Sequence, residues 1–198
     1  LPQDYKQDIG QYAVEQVVHV EASWADSKGK GVVAETQFIE SLPFGTNTVQ
    51  LGGIVATADP TDSNFKKILA LHQKASSRLR GIRRMAAHHE DKGIHAWANE
   101  PHLYTNKKFL KGFEQIARHH LSFDAWVYST QLEDVIALAK RFPETSIVLD
   151  HLGTPAGLFG KVGQTTGLTQ TARENIFYHW QDAIAELATY PNVYTKMS

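Results

Sequence analysis

The 198 residues include no cysteine, which removes a disulfide framework, a thiol nucleophile and thiolate metal ligation together. That absence is compatible with a cytoplasmic setting. No stretch approaches the ~18 consecutive apolar residues of a membrane span. The start, Leu1-Pro2-Gln3-Asp4-Tyr5, lacks the basic-then-apolar order of a secretory leader. Neither charge dominates: 20 Lys and Arg face 21 Asp and Glu, so no global field recruits nucleic acid or an anionic membrane, and charges must act locally. HExxH, P-loop, GxGxxG and GxSxG patterns are missing as well, which removes the enzyme classes built on them.

What is present is a rhythm. Short apolar runs alternate with longer stretches of three-to-four periodicity, the pattern of repeated β-α units around a parallel sheet. The composition, 42% hydrophobic and 21% charged, suits one domain across residues 1–198. Strands are expected at Gln16 to Glu21, Gln50 to Thr57, Leu79 to Met85, Ser122 to Tyr128, Ser146 to His151 and Asn192 to Ser198. Helices are expected at Val32 to Ser41, Asp62 to Ser76, Lys107 to His119, Gln131 to Arg141 and Thr171 to Thr189, with Asp62 and Thr171 as N-caps. Two long loops, Ala86 to Asn106 and Leu152 to Gln170, leave strand C-terminal ends, the side on which α/β proteins place lids and substrate walls.

Ligands of α/β proteins gather at those strand ends, and several chemically capable residues fall there. The run Ile147 to Leu149 ends in Asp150-His151 and a Gly/Pro turn. Alternation sets His151 on the face of Ile147 and Leu149. Its imidazole could ligate a metal, take a proton from water or donate to a carbonyl. Glu21 closes another apolar run, and a carboxylate there must be ion-paired, hydrogen-bonded or metal-bound. Arg83 offers a planar fork for a carboxylate or a developing oxyanion. Trp126 and Tyr128, on one face with Asp124, could wall a small ring-containing ligand. Lys196 either meets an anionic substrate or bridges to Glu21 or Asp150. His88, His89, His95 and His102 lie in the first long loop, His119 and His120 at a helix end, and His72 and His179 within helices, where a surface position is expected.

The order of Val18-His19-Val20-Glu21-Ala22, Leu79-Arg80-Gly81-Ile82-Arg83, Phe123-Asp124-Ala125-Trp126-Val127-Tyr128, Ile147-Val148-Leu149-Asp150-His151-Leu152-Gly153-Thr154-Pro155 and Asn192-Val193-Tyr194-Thr195-Lys196-Met197-Ser198 resembles the amidohydrolase-2 family. These are TIM-barrel, metal-dependent hydrolases that include lactonases. The resemblance implies an α/β (β/α)8 barrel of which the six runs are strands two to seven. It implies hydrolysis of a lactone or related cyclic ester of a small carboxylated or sugar-derived substrate. In that scheme His151 and Arg83 are catalytic, Trp126, Tyr128 and Lys196 bind substrate, and Glu21 assists at a divalent metal ion such as zinc. The His-x-His pair of the family's first strand and the aspartate of its eighth do not occur in these residues, and 198 residues fall short of the ~250 usual for the barrel. The chain therefore reads as an internal portion whose metal site is weak or empty. A decarboxylase of the same superfamily, or an inactive remnant that only binds a small acid or forms a homo-oligomer, are the competing expectations.

Overall fold

The computed structural model describes residues 2–24, 29–159 and 161–197. They fall into two compact units that divide after Arg83. The first begins with a short helix, α1 (Pro2–Asp8), which the periodicity did not announce. Strands β1 (Gln16–Val20), β2 (Gln50–Thr57) and β3 (Leu79–Met85) follow, with α2 (Val33–Ser41) and α3 (Phe65–Ala75) between them. β1 pairs with β2 and β2 with β3, both in parallel, with a bulge at Val17/Val18 and another at Ile54/Val55. Parallel neighbours need a crossover, and the helices supply it. Along β2 the residues Ile54, Val55 and Ala56 are all buried, as expected of a parallel strand covered on both faces.

The second unit, which takes in the last two residues of β3, carries α4 (Lys107–Arg118), β4 (Ser122–Trp126), α5 (Leu132–Arg141), β5 (Ile147–Leu149), α6 (Gln170–Leu187) and β6 (Val193–Thr195). β4, β5 and β6 run parallel in chain order. Helix α4 forms because Phe109, Phe113 and Ile116 recur at helical spacing and because Asn106 caps its start by accepting from the Lys108 N–H at 2.8 Å. Its buried face meets Phe123 of β4 and Tyr104, forming an aromatic core in which Phe113 and Phe123 lie edge to face at 5.0 Å. The C-terminal carbonyls of α5 and the following turn are closed by Asn192. Its Nδ2 donates toward the oxygens of Ala139, Phe142 and Thr145 at 3.1–3.3 Å.

Several expectations need correction. β5 ends at Leu149 rather than His151, and β6 covers only Val193–Thr195; Ser198 lies outside the described residues. The cap of α6 is Thr169, whose hydroxyl accepts from the Ala172 N–H at 3.1 Å, not Thr171. Asp62 instead closes the preceding turn on the Asn64 N–H at 2.7 Å, and α3 starts at Phe65. His72 is not on the surface: it is fully buried, because it faces the sheet side of α3. Its Nε2 donates to the Thr57 carbonyl at 3.2 Å, so its Nδ1 accepts from the Thr36 hydroxyl at 2.8 Å.

Candidate functional site

The second unit brings four of the residues singled out in the sequence to the C-terminal ends of β4, β5 and β6. His151 sits one residue beyond the buried Asp150, in a turn that is left-handed at His151, Leu152 and Thr154, with φ of 52°, 52° and 35°. Such a conformation costs roughly 1–2 kcal/mol per non-glycine residue and persists only where the surroundings hold it. Three contacts do so here. The indole Nε1 of Trp180 on α6 donates to the Leu152 carbonyl at 2.7 Å. The Leu152 N–H donates to the Lys196 carbonyl at 3.2 Å, and the Thr154 N–H to the His151 carbonyl at 2.9 Å. Gly153 completes the turn at φ +73°, where a Cβ would fall 2.6 Å from Leu132 Cδ2. Because the strand has already ended, strand parity does not extend to His151. It is the turn that sends its side chain outward, exposed and edge-on to the Trp126 ring at 6.0 Å.

Lys196 lies behind that turn as the hub of a charge cluster. Its Nζ is 2.5 Å from Asp124 Oδ2 and 2.7 Å from Asp150 Oδ1. Both carboxylates are buried, so each requires the cation. Burial works against the ammonium, but hydrogen bonds and the charges of Asp124 and Asp150 outweigh it and hold the Lys196 pKa above its ordinary value. Of the partners weighed in the sequence Asp150 is present; Asp124 was placed only as the face-mate of Trp126 and Tyr128. Its signal was an aspartate in the middle of an apolar strand.

An aromatic and imidazole wall continues from His151. Trp126 meets Trp97 at 5.0 Å, and Trp97 meets His95 at 4.6 Å. Tyr128, nearly fully buried, donates its hydroxyl to the His95 carbonyl at 2.8 Å and lies edge-on to His89 at 5.9 Å. Burial raises the Tyr128 pKa and lowers that of His89, with neighbouring charges only partly offsetting it. The His89 Nδ1 accepts from the Asp91 N–H at 3.0 Å, whereas His88 Nδ1 donates to the Ala98 carbonyl at 3.0 Å. Adjacent histidines thus hold opposite tautomers. Trp126 Nε1 and Thr154 Oγ1 are buried without a hydrogen-bond partner among the described residues.

The base of the first long loop is fastened by Gln131. Its Oε1 accepts from the N–H groups of His88 and Tyr128 at 2.8 and 3.3 Å, and its Nε2 donates to the carbonyls of Ala86 and Pro101 at 2.9 and 2.6 Å. Both amide hydrogens and both lone pairs of the amide oxygen are thus used.

Glu21 and Arg83 belong to the first unit, where they form a pair. Arg83 Nε donates to Glu21 Oε1 at 2.8 Å, and an Arg83 terminal nitrogen donates to the Glu21 carbonyl at 2.5 Å. Glu21 Oε2 also accepts from the Ser23 N–H at 3.2 Å. Beside them the buried Glu35 accepts from the Ala22 N–H at 2.7 Å and pairs with His19 at 2.9 Å. Burial pushes the Glu35 pKa up, but these hydrogen bonds together with the charges of His19 and Arg83 bring it below its usual value. Among the described residues no three His, Asp or Glu side chains converge as a metal site, and Glu21 already has a cationic partner. These residues by themselves do not fit a divalent ion.

A family model described as Amidohydro_2: Amidohydrolase matches residues 4–198. The chain belongs to the amidohydrolase family. It is 27% identical over its whole length to the "Uncharacterized protein y4mH" of Sinorhizobium fredii, of which it spans 59%. Over 121 residues, 61% of this chain and 33% of the other, it is 30% identical to an L-fucono-1,5-lactonase of Burkholderia ambifaria. A Burkholderia multivorans amidohydrolase crystallised with bound Zn resembles it with a TM-score of 0.71 at 22% identity, covering 100% of this chain and 58% of that one. This amidohydrolase chain therefore has an α/β fold of the TIM-barrel type. It spans well under two thirds of the length of the Sinorhizobium relative. Among the described residues no helix is long and apolar enough to cross a membrane.

Proposed function

We propose that the protein to which this chain belongs opens a lactone or related cyclic ester of a small carboxylated or sugar-derived acid, with His151 as the proton-transferring group. The observation that carries the reading is the position of His151: exposed on a strained, firmly anchored turn at the C-terminal end of β5, beside the Trp126 ring. The lactonase name of the Burkholderia ambifaria relative supports the substrate class.

In this reading His151 takes a proton from a water molecule as the water oxygen adds to the lactone carbonyl carbon. The tetrahedral intermediate collapses with cleavage of the bond to the ring oxygen. The proton held by His151 passes to that oxygen, and a hydroxy acid leaves. Trp126 supplies the apolar wall against the ring. Tyr128 shapes that wall, since its hydroxyl is engaged by His95. Lys196 bridges Asp124 and Asp150, so it serves the site by holding these two carboxylates in place. Arg83 grips Glu21 in the first unit and holds that carboxylate in place. A divalent ion, as in the Zn-bound Burkholderia structure, would need ligands besides Glu21.

The test is acid release, followed by pH indicator, from a panel of sugar lactones and carboxylated lactones. His151→Ala should lower hydrolysis by ~10²-fold or more. An unchanged rate removes His151 from the site. Release of carbon dioxide without ring opening would replace the reading with a decarboxylase, and binding without turnover would leave a binding remnant.

A further inference from the structure

The two long loops of the second unit are joined at one side chain. Asp91, in the loop after β3, accepts from the Gly93 N–H at 2.8 Å through Oδ1, and through Oδ2 from the hydroxyls of Thr165 and Thr166 at 2.5 and 2.7 Å. The second loop can reach it because it is folded tightly on itself. The Gly157 N–H donates to the Val162 carbonyl at 2.8 Å and the Gly167 N–H to the Gly163 carbonyl at 3.0 Å. A Cβ on Gly167 would lie 1.8 Å from the Gly157 oxygen, so only glycine allows this crossing.

Between the loops sits a small apolar cluster of Ala87, Ile94, Ala156 and Tyr128, with Trp126 packed against it. Ile94 comes three residues after Asp91, and the Ile94 N–H donates to the Asp91 carbonyl at 3.0 Å. His95 and Trp97 follow directly, holding the Tyr128 hydroxyl and the Trp126 ring. The chain of contacts therefore runs from the Asp91 carboxylate through Ile94 and Trp97 to Trp126 and His151.

We propose that Asp91 is a positioning residue: by clasping Thr165 and Thr166 it locks the two loops together and sets Trp97 against Trp126 as the wall of the substrate site beside His151. Asp91 touches neither water nor substrate in the reaction. Its contribution is to substrate binding rather than to the chemical step. Only the kinetic consequence rests on the hydrolase reading; the clasp itself does not.

The clasp is tested with Asp91→Ala, Asp91→Asn and the double variant Thr165→Val/Thr166→Val. Trypsin should cut after Lys92 and Lys161, which flank the clasp in the two loops, roughly tenfold faster in Asp91→Ala and in the double variant, with the global unfolding midpoint nearly unchanged. Combining Asp91→Ala with the double variant should add nothing further. Trp97 should become more accessible to acrylamide, a change that disappears in a Trp97→Phe background. Asp91→Asn, which keeps an acceptor oxygen, should fall between wild type and Asp91→Ala. On a lactone that the wild type hydrolyses, KM should rise roughly tenfold with kcat within about threefold. Unchanged proteolysis and quenching would overturn the clasp. Altered proteolysis with unchanged KM would overturn its positioning role while leaving the hydrolase reading intact. If no lactone is hydrolysed, the hydrolase reading fails, and Trp97 quenching alone decides the positioning role.

Discussion

Lys196 Nζ stands 2.7 Å from Asp150 Oδ1, and that carboxylate is fully buried directly beneath the turn that carries His151. Asp124, buried in the middle of β4, takes the other side of the same ammonium. The cluster ties β4 to the ends of β5 and β6 through one cation, so the geometry around His151 depends on charges that never reach the substrate.

Removing that cation should be severe. Lys196→Met leaves two buried carboxylates facing each other and is expected to cost about 3–5 kcal/mol, the range for breaking a buried pair. Protonating one carboxylate relieves the repulsion, so the deficit should be smaller at pH 5 than at pH 8. Urea unfolding at both pH values measures it. A deficit independent of pH would mean that the loss is packing, not charge.

His72 predicts a second pH dependence. Burial holds it neutral with a pKa lowered from 6.5 to about 4, partly offset by its bond to the Thr57 carbonyl and by the charge of Glu35. The unfolded chain binds a proton between those values and the folded chain does not. The contribution is therefore complete above pH 6.5 and is lost progressively as pH falls toward 4, by about 3 kcal/mol in all. In His72→Gln the unfolding midpoint should vary less across that window. An identical slope in the variant would assign the effect elsewhere.

Gln131→Leu keeps the volume roughly and removes the bonds made by the amide. The N–H groups of His88 and Tyr128 and the carbonyls of Ala86 and Pro101 lose their partner. Each buried group left unsatisfied costs about 1–3 kcal/mol, so destabilisation of at least that size is expected. Amide exchange should rise first at His88 and Tyr128.

Arg83→Lys retains the charge but not the fork. The two-point grip on Glu21, Nε to the carboxylate and a terminal nitrogen to the backbone carbonyl, cannot be made by one ammonium. We expect a stability loss of about 1–3 kcal/mol, read by urea unfolding. An unfolding midpoint equal to that of the wild type would show that the two-point grip on Glu21 contributes nothing.

Much of this was open to a reading of the chain alone. The extent of β2 and β3, the existence of five of the six helices and the parallel order follow from local apolar periodicity, because a buried parallel strand and an amphipathic helix each write their burial into adjacent residues. The short α1 carries too little periodicity to be seen. The importance of residues 150–155 is also local: an apolar run that stops at Asp150-His151 before a Gly/Pro turn must expose something at a strand end.

Partnership was decided only by tertiary structure. Local sequence marks Lys196 as an odd cation after one apolar strand and Asp124 as an odd carboxylate within another, but their sequence separation of 72 is closed only when β4, β5 and β6 align. The same holds for Asp91 with Thr165 and Thr166, ordinary loop residues until two loops meet, and for His72, whose burial depends on which side of α3 faces the sheet. The orientation of His151 was likewise beyond strand parity. Its left-handed backbone is unfavourable locally and is held by Trp180 and Lys196, residues distant in sequence, so no local propensity could have indicated it.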